Sequence, residues 1–159
     1  MGEQPLSVVI AALINKNKIL LIQRVKGDYI GYLGLPGGKI EKNEHVSEAA
    51  IREIFEETNI KSEFKSHLGF VSEHLIEDGK VIQHFLLHIC ELSPKSVKTI
   101  ENKEGKSGWF DMENLEEIKS QIIPSDFLMI EKVIKNKEKN YFNCIIERQG
   151  SNLILKKFE

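Results

Sequence analysis

Long apolar runs are missing from this chain of 159 residues. None approaches the ~18 residues that a membrane helix needs, and no basic-then-apolar leader opens the sequence. Cysteine is scarce: Cys90 and Cys144 are the only two, each within an apolar run. Their spacing fits no zinc motif, and both read as reduced, buried strand residues. An excess of one charge is missing as well. With 22 basic and 24 acidic residues, the chain carries no electrostatic footprint for bulk nucleic acid or an anionic membrane. There is no internal repeat and no low-complexity tract. These absences leave a cytoplasmic protein of one domain over residues 1–159, long enough to bury a real core.

What is present is a glycine-rich segment, Pro36-Gly37-Gly38-Lys39, followed by a stretch crowded with glutamate. The spacing predicts a helix over residues 46–58. At 100° per residue from Val46, Glu53, Glu56 and Glu57 fall at about 340°, 280° and 20°, one arc of roughly 100°. Ile51, Ile54 and Phe55 form a separate apolar arc, expected to pack into the core. Val46, Ala49 and Ala50 share the acidic arc and leave room beside it. Three carboxylates on one exposed face repel one another by a few tenths of a kcal/mol per pair, on the order of helix pair energies. A divalent cation among them removes that conflict. Hard oxygen ligands suit Mg²⁺, with Mn²⁺ as a substitute, and magnesium completes its shell with water and substrate phosphates. Arg52 lies beside Glu56, within reach of Glu48 or Glu56, and is expected to hold the carboxylates in place. A bare run of glutamates on a helix is more often a solvated face, since Glu is a good helix former.

The full string decides between these readings. Gly38, Glu44, Arg52, Glu53, Ile54, Glu56, Glu57 and Ile60 stand at the spacing G-x5-E-x7-R-E-U-x-E-E-x-G-U, where U is aliphatic. This resembles the signature of the Nudix hydrolase family. One position departs: Asn59 replaces the usual glycine. It follows the helix, where a left-handed backbone is expected, and Asn is the next best residue there. The resemblance implies an α/β/α sandwich around a mixed β-sheet. It also implies hydrolysis of the diphosphate bridge in a nucleoside diphosphate linked to another moiety. On that basis Glu56 and Glu57 are metal ligands, and Glu53 is a ligand or the base that orients water. A backbone carbonyl of Gly38 or Gly37 is a further oxygen. Glu44 supports Arg52 and the loop. The segment from Lys103 to Trp109 resembles a loop that brings another glutamate to the metal in triphosphate-cleaving members, which makes Glu104 a candidate ligand or base; the plain alternative is a solvated loop acid.

The rest of the chain reads as strands over 6–14 and 19–25, a loop over 26–32, and strands over 63–76 and 81–92 joined at Asp78-Gly79. A short strand at 108–110, helices over 113–119 and 125–137, and a C-terminal hairpin over 140–158 follow. That hairpin extends the sheet, covers the substrate pocket or forms a homodimer contact. Arg24 and, less strongly, Lys39 are candidate phosphate contacts. Asp126 is either a purine contact or, more often for an acid in a first helical turn, a cap. Tyr29 and Tyr32 flank the motif and are candidate base-stacking residues. Trp109 reads as core or pocket wall, and His74, His84 and His88 as sheet residues. The favoured substrates are nucleoside triphosphates, including oxidised purine nucleotides. ADP-ribose or a nucleotide sugar, and dinucleoside polyphosphates, are the alternatives. A nucleotide-sensing module without turnover is the reading from a different class, and the retained glutamates speak against it.

Overall fold

A computed structural model of the protein describes residues 3–99 and 105–159. Among these, nine strands form one mixed sheet. They are β1 (Leu6–Asn15), β2 (Lys18–Gln23), β3 (Leu33–Gly34), β4 (Gly37–Lys39), β5 (Ser62–Glu77), β6 (Lys80–Pro94), β7 (Ser107–Asp111), β8 (Tyr141–Gln149) and β9 (Asn152–Phe158). The order is β3-β2-β1-β6-β5-β8-β9, with β4 on β1 and β7 on β2. The β1–β6 and β5–β8 pairs are parallel, and the other pairs are antiparallel. No helix among the described residues is long and apolar enough to cross a membrane.

Strand β1 shows how the sequence builds two layers. Successive side chains point to opposite faces. Val9, Ala11 and Leu13 join Leu20, Cys90 and Leu92 beneath helix α1 (Val46–Thr58). Ile10 and Ala12 join Val71, Leu75, Leu87 and Ile89 on the other face, beneath the late helices. Those helices are a 3₁₀ segment, Met112–Gln121, and α2, Pro124–Leu128, which runs on as a wide π segment, Met129–Lys135. The result is the expected α/β/α sandwich around a mixed sheet. Cys90 and Cys144 are buried free thiols on β6 and β8.

Two local expectations change. The glycine-rich segment contributes a strand: Gly37 and Gly38 lie in β4, opposite Ile10 and Val9 of β1. Its glycines answer to close approach, because a Cβ on Gly37 would run into the Val9 carbonyl oxygen. The buried face of α1 also differs from the apolar arc. Ala49, Ala50, Ile54, Glu57 and Thr58 are buried, whereas Phe55 is 44% exposed. The small alanines let the helix sit down on β1, so Glu53 and Glu57 face the glycine strand while Glu56 and Phe55 turn outward.

Candidate functional site

Helix α1 begins where Glu48 accepts a hydrogen bond from the His45 N–H (2.8 Å). It ends at Asn59, whose backbone is left-handed (φ 63°, ψ 16°) and whose N–H closes on the Phe55 carbonyl. Between these ends Arg52 organises the acids. Its Nε donates to Glu44 Oε2 (2.9 Å) and its Nη2 to Glu44 Oε1 (2.5 Å), a two-pronged grip that fixes orientation as well as charge. Nη2 also donates to the Lys39 carbonyl (3.0 Å). Nη1 donates to Glu53 (2.8 Å) and to Glu56 (3.2 Å). Hydrogen bonding from Arg52 holds the Glu44 carboxyl below the usual carboxylate range. Glu44 accepts a further bond from the Glu41 N–H (2.9 Å), tying the β4–α1 loop to the same centre. Arg52 thus pairs with Glu56 as one expected alternative had it, while Glu48 is taken up by the helix start.

Glu53 and Glu57 press against the glycine strand. A Cβ on Gly38 would stand 2.6 Å from Glu53 Cδ and 2.7 Å from Glu53 Oε2. Only glycine leaves that space. The Gly37 N–H donates to Glu57 Oε2 (3.3 Å), and Glu57 is 5% exposed. The donor set is all oxygen, which fits magnesium or manganese. Among the described residues no three His, Cys, Asp or Glu side chains converge as a ready-made cation cage. Arg52 draws Glu53 and Glu56 to its side while Glu57 turns to Gly37. A magnesium ion held here would therefore take one or two carboxylates and fill its shell with backbone carbonyls, water and phosphate oxygens, its ordinary habit.

On the other side of β4 lies a cavity of about 380 Å³, the size class of small-ligand pockets. Gly37, Gly38 and Lys39 form one wall, and Arg24, Gly27, Asp28 and Tyr29 another. Val8, Phe85 and Leu87 give it an apolar lining. Two acids close it. Asp126 of α2 is 6% exposed and Glu73 of β5 is 2% exposed. Asp126 Oδ2 accepts the Leu35 N–H (2.8 Å), and a Cβ on Gly34 would lie 2.8 Å from that oxygen. Burial pushes the Asp126 carboxyl up to about 7, with Glu73 adding to the rise and the Leu35 N–H and Arg24 opposing it. Glu73 is raised by burial too. It accepts the Tyr29 hydroxyl (2.7 Å) and lies 3.7 Å from Cys144 Sγ. The Ser125 hydroxyl is buried with no hydrogen-bond partner of good geometry. Burial first, then Glu73, keeps the Tyr29 phenol protonated.

The structure thus divides the residues singled out from sequence. Glu44, Arg52, Glu53, Glu56 and Glu57 come together on α1 and its loop, and Gly38 meets Glu53. Arg24, Lys39 and Asp126 line the cavity. Asp126 makes no cap to its own helix; its carboxylate reaches across to Leu35. Tyr32 lies outside the cavity, with its hydroxyl accepting the Leu153 N–H (3.2 Å) and donating to the Ser151 carbonyl (3.3 Å). Tyr29 takes the cavity position. Trp109 packs beside the α1 core and donates to the Val97 carbonyl (2.8 Å). His74 and His84 meet edge to face across β5–β6. Glu104 lies outside the described residues. Glu73 went unnoticed in the sequence. Its signal was the alternation Val71-x-Glu73-x-Leu75, which puts an acid on a buried strand face.

Comparison with known proteins agrees with this arrangement. The sequence model of the NUDIX domain matches residues 3–130. An ADP-ribose pyrophosphatase of Methanocaldococcus jannaschii is 36% identical over 111 residues, covering 69% of this chain and 64% of that protein. Nucleoside diphosphate-linked moiety X motif 6 of Mus musculus is 32% identical over 104 residues, covering 64% of this chain and 33% of that protein. The chain therefore spans about a third of the mouse relative and just under two thirds of the archaeal one. Among solved structures, a MutT protein from Bacillus halodurans superposes with a TM-score of 0.73 at 21% identity, over 97% of this chain and 96% of that one. A MutT NUDIX hydrolase from Burkholderia pseudomallei gives 0.58 at 32% identity, over 70% and 86%. Glycine strand, carboxylate helix and matched sequence agree: this chain belongs to the NUDIX family of hydrolases.

Proposed function

We propose that the protein is a magnesium-dependent pyrophosphohydrolase that cleaves the diphosphate bridge of a nucleotide, with nucleoside triphosphates favoured, oxidised purine forms included. The observation that carries this reading is the placement of one nucleoside-sized cavity and one carboxylate helix on opposite sides of the same strand, Gly37–Lys39. A base held against Glu73, Asp126 and Tyr29 directs its phosphates along the glycine strand, where Arg24 and Lys39 offer positive charge. Glu56 and Glu57 are the assigned metal ligands, with a Gly37 or Gly38 carbonyl beside them. Magnesium or manganese, when bound there, neutralises phosphate oxygens and acidifies a water. Glu53 is assigned as a ligand or as the group that orients the water and accepts its proton. The water oxygen bonds to phosphorus, the bridging P–O bond breaks, and the leaving phosphate departs with the bonding pair. Arg52, gripped by Glu44, fixes where Glu53 and Glu56 stand.

A second reading, ADP-ribose hydrolysis, is favoured by the archaeal relative named as an ADP-ribose pyrophosphatase. Product analysis over a panel of nucleotides in magnesium separates the two. Pyrophosphate and a nucleoside monophosphate from triphosphates support the first. AMP and ribose 5-phosphate from ADP-ribose support the second. Turnover of no diphosphate compound would sink both and leave a nucleotide-sensing module.

A further inference from the structure

The matched NUDIX region stops at residue 130, yet the chain continues into a hairpin, β8 and β9, that reaches back to a loop walling the cavity. Strand β8 lies parallel to β5, with Glu73 opposite Cys144 and Ile76 opposite Glu147. This register carries the far end of the hairpin to the loop between β2 and β3, residues 24–32, which supplies four residues of the cavity wall.

That loop turns on two glycines with left-handed backbones, Gly27 (φ 85°) and Gly31 (φ 91°). Its backbone closes on itself through Arg24 N–H to the Tyr32 carbonyl, Gly31 N–H to the Arg24 carbonyl, and a longer contact from Tyr32 N–H to the Tyr29 carbonyl. Much of its anchoring comes from the hairpin. Arg148 Nη1 stands 3.6 Å from Asp28 Oδ1, while its Nε donates to Glu77 at 2.9 Å, so one guanidinium joins the loop to the end of β5. Tyr32 is held from both directions by the hairpin backbone, at Ser151 and Leu153. On the inner side of the same loop, Tyr29 donates to Glu73 and its ring packs 6.2 Å from that of Phe85. The loop is therefore clamped outside by the hairpin and docked inside on a buried acid.

We propose that the β8–β9 hairpin is a positioning element for nucleotide binding: Arg148, and the Ser151 and Leu153 backbone bound to Tyr32, hold the 24–32 loop so that Tyr29 stays on Glu73 and the cavity keeps the width that receives the substrate. The nature of that substrate rests on the functional reading above; the clamp itself does not. Arg148 and Tyr32 touch no reacting atom and act through the loop. Their removal is felt in substrate binding and leaves the carboxylate helix intact.

The test uses the full chain with Arg148→Ala, Tyr32→Phe and the double variant, measured by steady-state kinetics on a cleaved nucleotide and by amide hydrogen exchange. Exposed ion pairs and single hydrogen bonds are individually small. Each single variant should therefore raise KM about three-fold, and the double variant about ten-fold, with kcat within about two-fold of the parent. Amides of residues 24–33 should exchange faster while those of α1 do not change. Arg148→Lys, which keeps the charge near Asp28 but loses the two-way grip, should recover part of the KM. Unchanged loop exchange in the double variant overturns the proposal. So does faster exchange with an unchanged KM, or a loss confined to kcat. If the double variant does not fold, Asp28→Asn cuts the same link from the loop side, and exchange at residues 29–33 decides. If the parent chain cleaves no nucleotide, the functional reading falls, and the exchange result alone then upholds or overturns the clamp.

Discussion

Two sets of acids flank one short strand, and the protein treats them in opposite ways. On the α1 side, Glu44, Glu53 and Glu56 share a single arginine and Glu57 takes the Gly37 N–H; the bonds from Arg52 hold the Glu44 carboxyl below the usual carboxylate range. On the cavity side, Glu73 and Asp126 are buried among apolar side chains, and burial favours their neutral forms. Arg24 only partly offsets that at Asp126. The residue types are nearly the same, so environment sets the task. Charged carboxylates beside a guanidinium are suited to a cation and phosphate charge. Acids that burial pushes toward the protonated form are suited to hydrogen bonding, as acceptor or donor, inside a largely apolar pocket. The glycines between them are the physical divider: Gly38 leaves space for Glu53 on one side, and Gly34 leaves space for Asp126 near the other.

The largest effect that tests this contrast is on the charged set. Glu57→Gln keeps the size of the side chain and an oxygen able to accept the Gly37 N–H, so the fold should survive. The substitution removes one anionic oxygen donor, and turnover in magnesium should drop by about 100-fold or more, the scale seen when a preorganised electrostatic group is lost. Circular dichroism alongside product release checks both halves. Activity within a few-fold of the parent would show that the charged set is not where the cation acts.

The neutral set should show itself in stability against pH. Burial pushes the Asp126 carboxyl up to about 7 in the fold, from an ordinary value of 3.8. Between those values the native state binds more protons than the unfolded chain. Its contribution is therefore fully present below about 3.8 and drains away as pH rises through about 7. Asp126→Asn removes that loss and can keep the bond from Leu35. Its melting temperature at pH 8 should exceed the parent's, by several degrees if the gain is on the order of a few kcal/mol. At pH 4 the two should lie close together. Glu73, also raised, leaves a residual slope in the variant. Equal parent and variant curves across this range would mean that Asp126 is ionised in the fold without cost, and the contrast would collapse.

The two sets also differ in how legible they were. The α1 set could be read because its residues are close in sequence and helical geometry brings them together; Gly38 to Ile60 fixes family, helix and acids at once. The cavity set joins Tyr29, Glu73 and Asp126 from a loop, a central strand and a late helix. Only tertiary packing unites them, and Asp126 looked like a local cap because first-turn acids usually are. The strand pairs 6–15/18–23, 62–77/80–94 and 141–149/152–158 were visible from alternation and turn residues. Strands β3 and β4 were not, since two or three residues rich in glycine carry no period. The packing face of α1 was misjudged for a related reason: a helix that must approach a glycine strand closely buries alanine and glutamate, and leaves phenylalanine outside.

The smallest effect lies at the end of the helix that carries the charged set. Asn59 is exposed and left-handed, two residues beyond Glu57. A left-handed backbone strains a side chain with a Cβ, though Asn tolerates it better than most residues. Asn59→Gly removes that strain but adds freedom to the unfolded chain, so the net gain should be small, about 0.5 kcal/mol, with a melting temperature higher by about 1–2 °C. Turnover should not change, because the Asn59 N–H bond to Phe55 is made by backbone and Glu57 keeps its place against Gly37. Asn59→Ala keeps the Cβ and loses the local polar side chain, and should fall below the parent by about 1 kcal/mol. If Asn59→Gly instead lowered turnover while raising stability, the end of α1 would be coupled to the carboxylates, and the charged set would extend one turn further than Arg52 and the glycine strand define it.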